Sequence, residues 1–94
     1  RGRANVGEKI FKTNIAAGCV RCHSIGGVGG NIGPILDGIA ERKNRDYIYN
    51  SLVNPSSELA PGFETTTSSP MIPMNLILDQ QQLADIMAFL LTLN

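Results

Sequence analysis

Two cysteines and a histidine are the residues of this sequence best suited to chemistry. Cys19 and Cys22 stand three positions apart, and His23 follows directly. Thiols at that spacing can each add across a vinyl group of one haem, and the adjacent imidazole can then ligate the iron. The sequence Cys-Val-Arg-Cys-His therefore predicts one covalently attached haem c, with Cys19 and Cys22 as thioethers and His23 as an axial iron ligand.

Two other kinds of site use a Cys-x-x-Cys pair. A thioredoxin-type redox pair needs a βαβ context, whereas here small residues precede the pair and a glycine-rich loop follows it. A structural zinc site needs four ligands, and the chain has two Cys and one His in total. A thiol oxidoreductase without haem stays as a further hypothesis, which a colourless purified protein would support.

Length and charge restrict the class of protein. The chain has 94 residues, which predicts a single domain over positions 1–94. The formal net charge is zero, which argues against a nucleic-acid partner. The first 45 positions carry a net charge of +5 and the remainder −5. Such a dipole would orient a redox partner, but we expect the two halves to interleave in the fold so that it is small.

The motif also bears on location. Haem attachment of this kind takes place outside the bacterial cytoplasm, which predicts a periplasmic protein or one on the outer face of the cytoplasmic membrane. The sequence contains no apolar run of membrane-spanning length and no signal peptide. We expect a chain that begins at a mature or excised N-terminus, has no transmembrane segment and is monomeric.

Three helices are predicted, the first over about Ala4 to Lys12. Gly7, Ile10 and Phe11 share one face of it at positions i, i+3 and i+4. Glycine inside a helix is unfavourable by about 1 kcal/mol relative to alanine. Gly7 therefore indicates that another helix approaches the backbone closely there.

The second helix begins after Asn44, a good N-cap, and carries Asp46 in its first turn. It ends before Asn54-Pro55, because the residue before proline avoids the α region. A short helical turn over 56–59, closed by 60–62, is predicted to follow.

The last helix has the clearest signals. Asp79 is its predicted N-cap, with Gln82 three residues on in a capping-box arrangement. An apolar stripe of amphipathic spacing follows, formed by Leu83, Ile86, Met87, Leu90 and Leu91. We expect Met87 to pack in the core. No segment alternates with period two, so little or no sheet is predicted.

A haem iron ligated by one histidine has a second axial position, and its occupant decides between electron transfer and ligand chemistry. There is no other histidine, and methionine is the natural candidate. Met71 and Met74 lie in a loop punctuated by Pro70 and Pro73, and proline reduces the conformational freedom such a loop must lose. These two residues are therefore the candidate sixth ligands.

Taken together, these features resemble a class I, mitochondrial or bacterial-type cytochrome c domain over essentially the whole chain. The features that carry the resemblance are the early helix with Gly7 and Phe11, the motif at 19–23, the segment 31–36, the Met-bearing proline loop and a terminal helix with Phe89. The resemblance implies an all-α fold of three to five helices around haem c. Its terminal helices would cross where Gly7 and Phe11 meet Phe89 and Leu90.

The resemblance also implies roles for individual residues. Pro34 matches the family proline whose carbonyl accepts from the Nδ1–H of the ligand histidine, and Leu36 matches an apolar residue that packs on the haem. Met71 and Leu78 are seven positions apart, as in common members, which favours Met71 over Met74 as the sixth ligand. Ile72 departs from the proline that usually follows the ligand.

The function implied is one-electron transfer at a partly exposed haem edge. The protein would be a free periplasmic carrier, with redox proteins as donor and acceptor, or the relay module of a larger oxidoreductase, rather than an enzyme by itself. Segments 45–55 and 60–64 also resemble haem modules fused to bacterial membrane-bound dehydrogenases. The alternative is a gas-binding, sensing or peroxidatic haem domain with a labile sixth ligand.

Overall fold

The computed structural model describes residues 2–31, 33–56 and 71–94, and these are mostly helical, as predicted. None of the helices found there is long and apolar enough to cross a membrane. The elements follow in the order α1 (Ala4–Thr13), α2 (Cys19–Cys22), β1 (Ser24–Ile25), β2 (Val28–Gly29), α3 (Ile39–Arg42), α4 (Arg45–Val53), a 3-10 helix (Met74–Leu76) and α5 (Gln80–Leu90).

The terminal helices α1 and α5 pack against each other, as predicted. A Cβ at Gly7 would overlap the carbonyl of Asp85, so only glycine permits this approach of the two backbones. One turn further along α1, the rings of Phe11 and Phe89 lie with centroids 5.7 Å apart and planes inclined by 57°. Gly7 therefore lies against Asp85, one turn before Phe89 on α5, and Phe11 meets Phe89 as expected.

An ion pair joins the start of α1 to α5. Arg3 Nη2 lies 3.0 Å from Asp85 Oδ2, and the main-chain N–H of Arg3 donates to Asp85 Oδ1 at 2.9 Å. Gln81 Nε2 donates to the same oxygen at 2.9 Å. At this point the positive first half of the chain touches the negative second half, in keeping with the expected interleaving.

The two longer helices after the motif begin at their predicted caps. The Asn44 side chain accepts from the Tyr47 N–H at 2.8 Å, and α4 ends at Val53, before Asn54-Pro55. At α5, Gln82 N–H donates to Asp79 at 2.8 Å, and the Gln82 side chain accepts from Asp79 N–H at 3.0 Å. The predicted turn at 56–59 and its closure at 60–62 lie, apart from Ser56, outside the described residues.

The short elements were not predicted individually. Strands β1 and β2 pair antiparallel, with Ser24 opposite Gly29 and Ile25 opposite Val28. Gly26 and Gly27 form their turn with φ values of 60° and 82°, which suit a two-residue hairpin loop. Within the described part of the chain, this two-stranded hairpin makes up all of the β-sheet, which agrees with the prediction of little or no sheet.

Buried apolar side chains from α1, α4, the 3-10 helix and α5 form one core. Met87 is 3% exposed within it, so its predicted packing role is confirmed. The described members are Phe11, Ala17, Ile48, Leu52, Met74, Leu78, Leu83, Ile86, Met87, Phe89 and Leu90.

Candidate cofactor site

A pocket adjoins this core and shares part of its wall. It holds about 480 Å³ of space free of protein atoms, a volume that includes open solvent at its mouth. Its wall is apolar except for a few side chains. The lining residues are Phe11, Cys19, His23, Leu36, Ile39, Tyr47, Ile48, Ser51, Leu52, Ile86 and Leu90.

Helix α2 brings the two thiols to one side of a single turn. Residues three apart are neighbours on a helix surface, and Cys19 and Cys22 are the first and last residues of α2. Cys19 lines the pocket, and its burial raises the pKa of its thiol. Cys22 is half-buried and lies outside that lining. Two bonds could therefore be made to one ligand from this turn.

His23 follows α2 and turns the backbone into an extended conformation, with φ −112° and ψ 148°. Its side chain lines the pocket, and Nδ1 lies 2.8 Å from the carbonyl oxygen of Pro34. A carbonyl only accepts hydrogen bonds, so Nδ1 carries a proton, and in the neutral imidazole Nε2 then has the free lone pair. This is the tautomer that an iron ligand requires.

The loop that carries Pro34 runs along the motif and is bonded to it. Gly33 N–H donates to Cys22 O at 2.7 Å, and Leu36 N–H donates to Ser24 O at 3.0 Å. A Cβ at Gly33 would lie 2.5 Å from His23 Cε1, so the imidazole packs directly on this glycine. The structure thus brings Pro34 and Leu36 to the same site as Cys19 and His23.

The two candidate methionines lie elsewhere in the described residues. Met74 begins the 3-10 helix, is 2% exposed and belongs to the core. Met71 is partly buried at the edge of that core. Neither contributes to the lining of the pocket that holds His23.

Sequence reasoning missed several members of the site. Ile39 of α3 and Ser51 of α4 line the pocket and were not singled out. Tyr47, Ile48 and Leu52, also on α4, line the pocket and were not predicted as site residues. Gly33 stands directly before Pro34 in the segment 31–36. Its packing on His23 has no signal in the sequence beyond that adjacency.

The residues present fit a haem attached through two thioethers. Two thiols on one helical turn, an imidazole with a free Nε2 and an apolar wall are the donor set and the surroundings that such a group needs. The model of the cytochrome c family matches residues 4–94. The chain belongs to the cytochrome c family. It is a class I cytochrome c domain that binds haem c with its iron and serves electron transport, which confirms the predicted fold class and cofactor.

Two similar proteins agree with that assignment. A cytochrome c-553-like protein of Synechocystis sp. is 30% identical over 93 residues, which are 99% of this chain and 71% of that protein. The crystal structure of SoxXA from P. pantotrophus is similar with a TM-score of 0.71 and 28% identity. That match covers 98% of this chain and 82% of the other.

Proposed function

We propose that this cytochrome c is a one-electron carrier in which Cys19 and Cys22 form the thioether bonds and His23 and Met71 ligate the iron. It acts in the periplasm or on the outer face of the bacterial cytoplasmic membrane, as one domain over 1–94 and as a monomer. The observation that carries the proposal is the 2.8 Å contact between His23 Nδ1 and Pro34 O at the wall of an apolar pocket.

The Pro34 carbonyl acts on His23 in two ways. It holds the proton on Nδ1, which leaves Nε2 as the nitrogen for iron, and it restricts rotation of the ring. An imidazole that donates its second N–H to a carbonyl is also a more basic ligand. Pro34 therefore sets both the orientation and the donor strength of His23.

The apolar wall suits a redox centre that changes by one electron. When bound, haem c supplies an iron that accepts and releases that electron. Apolar side chains such as Phe11, Leu36 and Leu52 form most of the wall and would keep water from the buried side of a bound haem. Exclusion of water disfavours the more charged oxidised form, which raises the reduction potential.

Burial favours Met71 over Met74 as the sixth ligand. Met74 is 2% exposed in the core, and its carbonyl accepts from Leu78 N–H at 2.7 Å. Its side chain is therefore part of the core packing, and its backbone is hydrogen-bonded to the segment before α5. Met71 lies at the edge of the core and is half-buried. A thioether at the edge can turn towards iron at a smaller cost in packing than one inside the core.

Comparison of Met71→Ala with Met74→Ala tests this assignment in haem-loaded protein. Met71→Ala should abolish the iron–sulfur charge-transfer band and lower the reduction potential strongly. Met74→Ala should keep the band and lose stability, by about 2–5 kcal/mol for a buried methionine. Met87→Ala is the matched control, since Met87 is a core methionine 3% exposed on α5. Loss of the band in Met74→Ala alone would transfer the role to Met74.

Carbon monoxide distinguishes a carrier from a ligand-binding domain. A carrier with both axial positions filled should bind carbon monoxide slowly or not at all when reduced at neutral pH. Rapid binding would favour the gas-binding, sensing or peroxidatic alternative.

The same domain would serve as a free carrier or as a relay within a larger oxidoreductase. The similarity to SoxXA of P. pantotrophus supports the second context. In both contexts the partners are redox proteins or domains that exchange one electron with the haem. Reduction of the purified domain by candidate donors, followed by stopped-flow absorbance, tests which context applies.

A further inference from the structure

We propose that Arg42 and Asp37 are positioning residues for the iron ligand His23. They hold the outer side of the loop 33–37, whose inner side carries the Pro34 carbonyl bonded to His23 Nδ1. The proposal rests on His23 being the axial ligand, as given under Proposed function. It concerns how this chain keeps that ligand in place.

The inner side of the loop is held by main-chain bonds. Gly33 and Leu36 donate to carbonyls of the motif segment, at 2.7 Å to Cys22 O and 3.0 Å to Ser24 O. These two bonds flank Pro34, which has no N–H of its own to donate. The carbonyls of Ile35 and Asp37 accept hydrogen bonds from a side chain on the outer side of the loop instead.

That side chain is Arg42. Its Nη2 donates to Ile35 O at 2.8 Å, and its Nη1 donates to Asp37 O. The two terminal nitrogens of one guanidinium thus donate to the carbonyls of the residues on either side of Leu36. A planar guanidinium presents donors in a rigid fork, so it fixes the spacing of both carbonyls at once, which a lysine cannot do.

Asp37 adds a second restraint at the end of the loop. Both of its carboxylate oxygens accept from the N–H of Gly26, at 3.0 and 3.1 Å. Gly26 belongs to the turn of the hairpin that follows His23 directly. The side chain of Asp37 therefore ties the far end of the loop back to the segment that begins at the ligand.

Arg42 itself has a fixed base. It is the last residue of α3, and Ala40 of the same helix donates its N–H to Leu93 O at 2.9 Å. The C-terminal segment thereby anchors α3. Hydrogen bonds therefore link Leu93 to α3, and Arg42 of α3 to the carbonyls of Ile35 and Asp37 in the loop that carries Pro34.

Loss of the outer restraint should act on His23 in a definite direction. A freer loop lengthens or opens the Nδ1–H to Pro34 contact, which makes the imidazole a weaker donor and raises the reduction potential. Loss of the positive charge of Arg42 by itself should lower the reduction potential, because less positive charge favours the oxidised iron. The effect of the loop on the potential and the effect of the charge therefore have opposite signs and can be separated.

The experiment measures exchange of the His23 Nδ1 proton with solvent in reduced, haem-loaded protein labelled with 15N-histidine. His23 is the single histidine of the chain, so the signal is assigned without ambiguity. Arg42→Gln should accelerate the exchange severalfold, because the loop loses two exposed hydrogen bonds whose net free energy corresponds to a factor of about ten at most. Its reduction potential should lie above that of the control.

The matched control is Arg45→Gln. Arg45 is an exposed arginine three positions away that starts α4, and its substitution removes the same charge near the same segment. It should leave the exchange rate unchanged and shift the potential only slightly downward. Arg42→Lys should fall between wild type and Arg42→Gln, since it keeps the charge and loses the fork.

Asp37→Asn serves as a second test if Arg42→Gln yields too little haem-loaded protein. It should accelerate the exchange less than Arg42→Gln, since an amide oxygen still accepts from Gly26. A slow Nδ1 proton in the wild type with unchanged rates in all three variants overturns the positioning role. A wild-type proton that exchanges freely overturns the ligand geometry under Proposed function instead.

Discussion

Arg3 and Asp85 connect positions near the two ends of the chain through a carboxylate that is almost completely buried. The guanidinium and the main-chain N–H of Arg3 both donate to this carboxylate, and the side chain of Asp85 is 1% exposed. The contact lies beside the close approach of Gly7 to the Asp85 carbonyl. The side chain of Asp85 thus binds Arg3, the N-cap of α1, and its backbone carbonyl packs against Gly7 in the second turn of α1.

Acid should weaken this connection. The hydrogen bond from Arg3 holds the pKa of Asp85 at about 2, below its ordinary value of 3.8. The contribution of Asp85 to stability is therefore complete above pH 4 and is lost as the pH falls towards 2. Urea midpoints measured across this window should fall more for the wild type than for Asp85→Asn. Parallel curves for the two proteins would contradict the assignment.

Gly7→Ala should destabilise the protein even though alanine is the better helix former. The added Cβ would overlap the Asp85 carbonyl, so α1 and α5 must separate. We expect a loss of about 1–3 kcal/mol in the free energy of unfolding, typical of an overpacked site. Urea denaturation of the haem-loaded protein measures it. Asn5→Ala, at an exposed position of the same helix, is the control and should change stability by less than about 0.5 kcal/mol.

The contact between Phe11 and Phe89 should show coupling beyond the loss of buried area. Either residue replaced by alanine should cost about 3–5 kcal/mol, since both are buried. A double-mutant cycle with Phe11→Leu and Phe89→Leu should give a coupling energy of about 0.5–1.5 kcal/mol, the value for tilted aromatic pairs. Additive effects of the two substitutions would show that the rings pack independently.

Gly33→Ala should disturb His23 directly. The new Cβ would lie 2.5 Å from Cε1 and 2.9 Å from Nδ1 of the imidazole, so the ring or the loop must move. We expect a loss of about 1–3 kcal/mol in stability, together with a shifted reduction potential. Potentiometric titration checks the second effect. Asn31→Ala, an exposed neighbour in the same segment, should leave both properties unchanged.

Removal of the haem should unfold much of the chain. Five side chains of the pocket wall also belong to the buried core, so an unfilled pocket leaves that core open on one side; they are Phe11, Ile48, Leu52, Ile86 and Leu90. A domain of this size has little apolar surface to spare. Cys19→Ala/Cys22→Ala protein produced without haem should lose most of its far-UV helical signal. Native helicity in that protein would contradict this prediction.

Features with a local cause were predictable from the sequence. The caps Asn44 and Asp79 were predicted correctly because each hydrogen bond spans three residues. The hairpin and helices α2 and α3 contain two to four residues per element. Segments so short carry no hydrophobic period. The pair Gly26-Gly27 was the one signal available for the hairpin turn.

The order and spacing of Cys19, Cys22 and His23 determined the cofactor by themselves, because thioether attachment depends on neighbours within one helical turn. The resemblance implied Pro34 as the partner of the His23 ring, and only the tertiary structure decided what else lies against that ring and its loop. The further residues are Gly33, Asp37 and Arg42, which lie 10 to 19 positions from His23 and come together with it only when the chain folds back over the motif. Contacts at such separations leave no periodic trace in a sequence, since they depend on the path of the loop between them.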